Sequence, residues 1–155
     1  MGTAQRFDSP DGHVKLDWSH LPVVMATWAG GQSVEQIDAY FDATATMLDL
    51  IEATDEQAVM LTITDQAKRP SALVRRRITD RTAMLADQLA RVFVANAVVV
   101  NNSVIRGALT AMGWVDPSLR VPYIQDLPRA LRWARGELRS IGRDLPPSLG
   151  RHLTG

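Results

Sequence analysis

The chain has no cysteine among its 155 residues. Disulfides, thiolate metal ligands and cysteine nucleophiles are therefore excluded, and stability has to come from packing. An excess of one charge is also missing: lysine plus arginine number 17, as do aspartate plus glutamate. General electrostatic attraction to nucleic acid or anionic lipid is thus not expected. No apolar run approaches the roughly 18 residues that would span a bilayer, and the opening MGTAQRFDSPDG has no apolar leader segment. A cytoplasmic protein follows as the expectation, with no nucleic-acid partner and no stable membrane insertion. The histidines, His13, His20 and His152, share no ligand spacing, so no metal and no cofactor is expected. Nucleophile-elbow, P-loop and dinucleotide fingerprints are absent as well, and a non-enzymatic protein is the expectation.

What is present is alternation and helical spacing. His13 to Trp18 places Val14, Leu16 and Trp18 on one side, and Val23 to Trp28 follows after Ser19-His20-Leu21-Pro22, which predicts a hairpin. Gly30-Gly31 breaks the chain. Ser33-Val34-Glu35-Gln36 has the form of a capping box, and Ile37, Phe41, Thr44, Leu48 and Ile51 continue it as the stripe of a first helix, with Glu35, Asp38, Asp42 and Asp49 largely off that face. Ala58 to Thr64 predicts a central strand closed by Asp65. Pro70 suits the first turn of a second helix, which is expected to run to about Ala90 with Val74, Ile78, Leu85 and Leu89 inward. Arg81 falls on that same line, where it either snorkels from the edge or meets a buried acid.

The most informative stretch is Arg91 to Gly113. Phe93 to Val100 predicts a buried parallel strand, Asn102 or Ser103 the cap of a third helix, and Gly113 its end. Asp116-Pro117-Ser118 turns, Val121 to Gln125 predicts a short edge strand, and Asp126 caps a last helix with Leu127, Ala130, Leu131, Ala134, Leu138 and Ile141 as its stripe. The four tryptophans, Trp18, Trp28, Trp114 and Trp133, are expected as core and boundary residues. The element order β-β-α-β-α-β-α-β-α predicts an α/β fold: a single mixed sheet of about five strands, an antiparallel N-terminal hairpin and about four helices. One domain, 12–142, is expected between a flexible N-terminus, 1–11, and a flexible C-terminal tail, 143–155.

Polar groups just beyond the carboxyl ends of inner parallel strands are where sites form. Asp65, Asn101, Asn102 and Arg106 occupy such positions. They would line one shallow site if the second helix starts beside them, with Arg106 binding an anion or pairing with Asp65. The competing role for the asparagines is capping. Lys68, Arg69 and Arg75 lie close to Ser71, and a phosphate on Ser71 would gain from free helix amides and these cations. The competing role for Ser71 is an ordinary first-turn position. Arg75-Arg76-Arg77 point about 100° apart and cannot form one clamp, though with Lys68, Arg69 and Arg81 they could extend a partner-facing patch.

The opening hairpin, AVMLTITD with its following helix, and VVVNNSVIRGALTAMG followed by VPYIQDLPRALRWA resemble the SpoIIAA-like superfamily over residues 12–142. That group includes the STAS domains of anti-sigma-factor antagonists and the CRAL-TRIO lipid-binding domains. The resemblance implies a regulatory module that docks a protein partner through the second helix, its preceding loop and the Asn101–Arg106 turn. It also implies a phosphorylatable serine or threonine in an Asp-Ser-Ser/Thr-Gly segment. Here that region reads Asp65-Gln66-Ala67-Lys68-Arg69-Pro70-Ser71, without the motif, and Ser71 is its nearest hydroxyl. The alternative within the same superfamily is a small apolar-ligand or lipid-binding domain, with Met25, Met47, Met60, Met84 and Met112 lining a slot. A homodimer through an edge strand or the hairpin is a further partner arrangement.

Overall fold

In the computed structural model, which describes residues 2–111 and 122–150, the strands lie in chain order across one six-stranded sheet. β1 (Ala4–Ser9), β2 (Gly12–His20) and β3 (Val23–Gly30) are antiparallel, while β4 (Ala58–Ala67), β5 (Phe93–Val99) and β6 (Tyr123–Ile124) continue from β3 in parallel. The mixed sheet with an antiparallel start is as the sequence predicts. β5 is an interior strand, between β4 and β6.

The helices are α1 (Val34–Ala53), α2 (Ala72–Met84), α3 (Ala86–Val92), α4 (Ser103–Ala111), α5 (Leu127–Arg139) and α6 (Pro147–Gly150). Every step from β3 to β6 moves in the same direction across the sheet. Right-handed crossovers then place their helices on one face. The core is accordingly split. On one side Val24, Ala26, Trp28 and Met60 meet Ile37, Phe41 and Leu48 of α1 and Val74 and Ile78 of α2; Val98 and Val100 meet Ile105 and Leu109 of α4. On the other, Val59, Leu61, Ala97 and Val99 meet Ala130, Leu131, Ala134 and Leu138 of α5. Burial on both faces is why β4 and β5 read as apolar runs and not as alternation.

Four differences from the sequence expectation have local causes. Residues 4–9, expected to be loose, form the edge strand β1; its side chains are mostly exposed, so no alternation betrays it. Phe7 is its one apolar side chain that packs on the core, edge-on to Tyr40 with centroids 6.3 Å apart. The expected flexible tail is partly docked, since α6 buries Leu149 beside the α5 core. The second helix is two helices: at Leu85 (φ −102°, ψ 2°) the chain leaves helical geometry and its amide donates to Thr82 O at 3.1 Å. Pro70 precedes the helix cap instead of entering the first turn. The expected end at Gly113, the 116–118 turn, Val121, Trp114, Met112 and His152 lie outside the described residues.

Along the seam between α1 and α2–α3 runs a polar ladder with one sequence offset. Arg77 grips Asp38 with two bonds, 2.7 and 2.6 Å, Arg81 reaches Asp42 at 2.6 Å, Gln88 Asp49 at 2.6 Å, and Arg91 Glu52 at 3.2 Å, every pair 39 residues apart. A constant offset means the two helical segments run parallel in register, through the break at Leu85. Arg81 does both things allowed to it: it meets Asp38 and Asp42 while only 18% exposed, with its guanidinium 5.8 Å from the Phe41 ring. The Arg77 hydrogen bonds hold the Asp38 carboxyl below the usual carboxylate range, against an opposing push from burial, and the charges of Arg77 and Arg81 add to the lowering.

A depressed folded-state pKa stabilises the fold above the unfolded value, about 3.9, and that contribution is lost as pH falls through the folded value. Asp38→Asn is therefore expected to lower the melting temperature at pH 7. Thermal melts in a pH series should show the gap between variant and wild type closing below about pH 4, where the wild-type carboxylate itself protonates.

Candidate functional site

The carboxyl ends of β3 and β4 are drawn together by a corner that only glycine can make. Gly30 has φ +66°, and a Cβ there would sit 2.2 Å from Asp11 O. Its carbonyl accepts from the Lys68 amide at 3.1 Å and from Gln32 Nε2 at 3.2 Å, so the loop after β4 is tied to the corner after β3. β4 carries an extra residue between the partners of Thr27 and Ala29, a bulge between Ile63 and Gln66. Beside it Thr64 donates to Val99 O at 2.9 Å, fastening β4 to β5.

α2 and α4 both start from this end. Ser71 is the N-cap of α2, its Oγ accepting from the Val74 amide at 3.2 Å. Asn102 caps α4, accepting from the amides of Val104 at 2.8 Å and Ile105 at 3.3 Å. Capping thus accounts for Ser71 and Asn102, while Asn101 is exposed just past β5. Arg106 lies over the Tyr123 ring, 5.3 Å from its centroid, and the Tyr123 hydroxyl bonds Thr110 Oγ1 on the same helix.

Of the two roles open to Arg106, the pairing with Asp65 is not made among the described residues. Burial first, and then the nearby Asp126 carboxylate at the cap of α5, raise the Asp65 pKa, and Asp65 Oδ1 is buried without a partner. Asp65 therefore looks toward the α5 layer, whereas Arg106, Ser71 and Asn102 belong to the α2–α4 layer. Position at a strand end predicts the rim of the sheet correctly, but not the side of it.

The basic run on α2 is divided by helix geometry. Arg77 and Arg81 turn to α1 and are neutralised there, so Arg81 does not extend a free patch. Among the described residues, Lys68, Arg69, Arg75 and Arg76 make no ion pair. Leu73 on α2 and Val104 on α4 are 68% and 59% exposed, unusual for such side chains. Between the two helices opens a cleft lined by Trp28, Ile78, Ile105, Ala108 and Leu109, with about 390 Å³ of atom-free space when its solvent-filled mouth is counted.

This cleft, which the sequence does not reveal because it arises where helices far apart in the chain meet, is not lined by methionine among the described residues. Met47 and Met60 lie in the α1 core, Met25 packs on the α5 side, and Met84 is 77% exposed. A second unforeseen arrangement lies at the opposite end of β3. His20 Nδ1 is 2.8 Å from Ser148 Oγ and its Nε2 is 3.7 Å from Asp17 Oδ2, a link that fastens α6 to the β2–β3 turn. Among the described residues no three His, Asp or Glu side chains gather as metal ligands, and no helix is long and apolar enough to cross a membrane.

No protein-family model matches the chain, and no curated protein matches it. Among solved structures, the crystal structure of an anti-sigma factor antagonist from Mycobacterium paratuberculosis is similar, with a TM-score of 0.50 and 13% identity over 87% of this chain and 95% of that one. The likeness is one of fold. The two chains share a mixed α/β arrangement over most of their lengths.

Ser71→Ala should cost about 1 kcal/mol of folding stability in chemical denaturation, and Ser71→Asp close to nothing, because aspartate caps as well as serine. Asp65→Asn should act in the opposite direction. A carboxyl whose folded pKa is raised weakens the fold as pH climbs through that value, so the variant is expected to melt higher than wild type at pH 7. The gain should fade in melts at acid pH, where the wild-type group is already neutral.

Proposed function

We propose that the chain is a non-enzymatic regulatory module that docks a protein partner through the first turns of α2, the 68–71 loop before it and the Asn101–Arg106 turn. One observation carries this reading: unpaired cations and exposed apolar side chains coincide at the rim where α2 and α4 begin. Elsewhere on the same helical layer, charge is matched pair by pair along the α1 seam. Unmatched Lys68, Arg69, Arg75 and Arg76 beside Leu73 and Val104 have the composition of an interaction surface, in which arginine and apolar anchors are enriched. The fold it shares with a protein named as an anti-sigma factor antagonist adds support. Ser71, at the mouth of this surface, is where an added phosphate would meet helix amides and these cations.

A photoreactive amino acid placed at Leu73, and in a control at the exposed Thr46 of α1, tests this in the cells that encode the chain. A discrete protein adduct is expected from position 73 and not from position 46. Equal labelling from both positions, or none from position 73, would contradict the docking surface.

A further inference from the structure

Beyond the charge and exposure at this rim, polar atoms around the cleft are left with nothing to bond. On α2, residues 75 and 82 are seven apart and share the flank turned away from Arg77 and Arg81, with Ile78 between that flank and the core face. Ile78 lines the cleft. Arg75 Nε and Thr82 Oγ1, on that flank, are buried with no hydrogen-bond partner. Gln32 also lines the cleft; its Nε2 is spent on Ala29 O and Gly30 O, and its Oε1 is buried without a donor. Buried polar atoms are ordinarily satisfied, and an unsatisfied one in the cleft wall, with two more on the adjoining flank of α2, marks a place where bonds are completed by something else. The facing wall is α4, where the exposed Val104 lies one turn before the cleft-lining Ala108.

We infer that this cleft receives an acidic segment of another protein, which inserts an apolar side chain between Ile78 and Ala108 and lays its carboxylates on Lys68 and Arg75. The inference rests on the docking reading above and specifies the partner's chemistry. Lys68 lines the rim, Arg75 flanks Ile78, and among the described residues no carboxylate pairs with either, so charge complementarity calls for an anion. The apolar walls call for a hydrocarbon group. The cleft is shallow, most of its roughly 390 Å³ being open mouth, so it suits the tip of a side chain and not a long acyl chain, which needs a deeper enclosure. A main-chain amide of the inserted segment is a suitable donor for Gln32 Oε1. Carboxylate, apolar group and amide donor together describe a peptide.

The test moves the photoreactive residue to Val104 in the full chain, captures adducts in the cells that encode it, and sequences the attached peptide. A segment with more Asp and Glu than Lys and Arg, bearing Leu, Ile, Met or Phe beside the attachment point, is expected. Two variants that act differently should each cut the adduct yield about tenfold or more: Lys68→Glu with Arg75→Glu, which reverses the rim charge, and Ala108→Leu, which fills the cleft. Melting curves establish that each is folded, and the charge pair alone decides the outcome if Ala108→Leu is not. A neutral or basic segment, a captured lipid or metabolite, or yields unmoved by folded variants overturns the cleft inference. If the Leu73 adduct persists in that case, the docking surface still stands; if it too is lost, both fall.

Discussion

Crossover handedness is the constraint on which the rest of the molecule depends. Four parallel strands that advance in one direction, each joined to the next by a right-handed connection, must carry their connecting helices side by side on one face. α1, α2–α3 and α4 are therefore neighbours in that order, and α2 has two flanks to satisfy. The α1 flank is closed by the ladder from Asp38–Arg77 to Glu52–Arg91. The α4 flank is not closed in the same way, and there the cleft opens beside Arg75 and Ile78. α5 comes after the last crossover and is free to take the other face, where it buries Leu131 and Leu138 completely.

This division explains why a chain with no net charge presents a basic rim. The acids are not missing; several are committed to α1, opposite the cations of α2 and α3. Surface ion pairs of this kind contribute little singly, but in a common register they fix how α2 lies against α1, and with it which arginines remain outward. α2 buries only Val74 and Ile78. A helix held by so few apolar side chains depends on its polar seam for its setting, which ties the geometry of the rim to the ladder behind it.

Much of this was legible in the sequence. The Ser33–Gln36 capping box is present with both reciprocal bonds, Ala130, Leu131, Ala134 and Leu138 of the α5 stripe are buried as their spacing predicts, and the apolar run at 93–100 is an interior strand. These are local signals, carried by residues within a turn or a strand of one another. The misses share another character. β1 hides because an exposed edge strand needs only a backbone ladder and one inward side chain. The break at Leu85 has neither glycine nor proline to announce it. Asp65 stands at the expected end of the sheet, and alternation with Val59, Leu61 and Ile63 gives it to the α5 face, but a strand end alone does not say which layer its neighbours Asn102 and Arg106 join. The ladder and the cleft need a tertiary offset of 39 residues and the approach of α4, and no window of sequence contains either.

The central claim, that α4 packs beside α2 on the face opposite α5, is tested most directly by methyl–methyl nuclear Overhauser contacts in solution. The structure predicts contacts from Val98 to Ile105 and Leu109, and separate contacts from Val99 to Leu131. Contacts from Ile105 or Leu109 to Val99 or Leu131 would put α4 in the other layer and contradict the account.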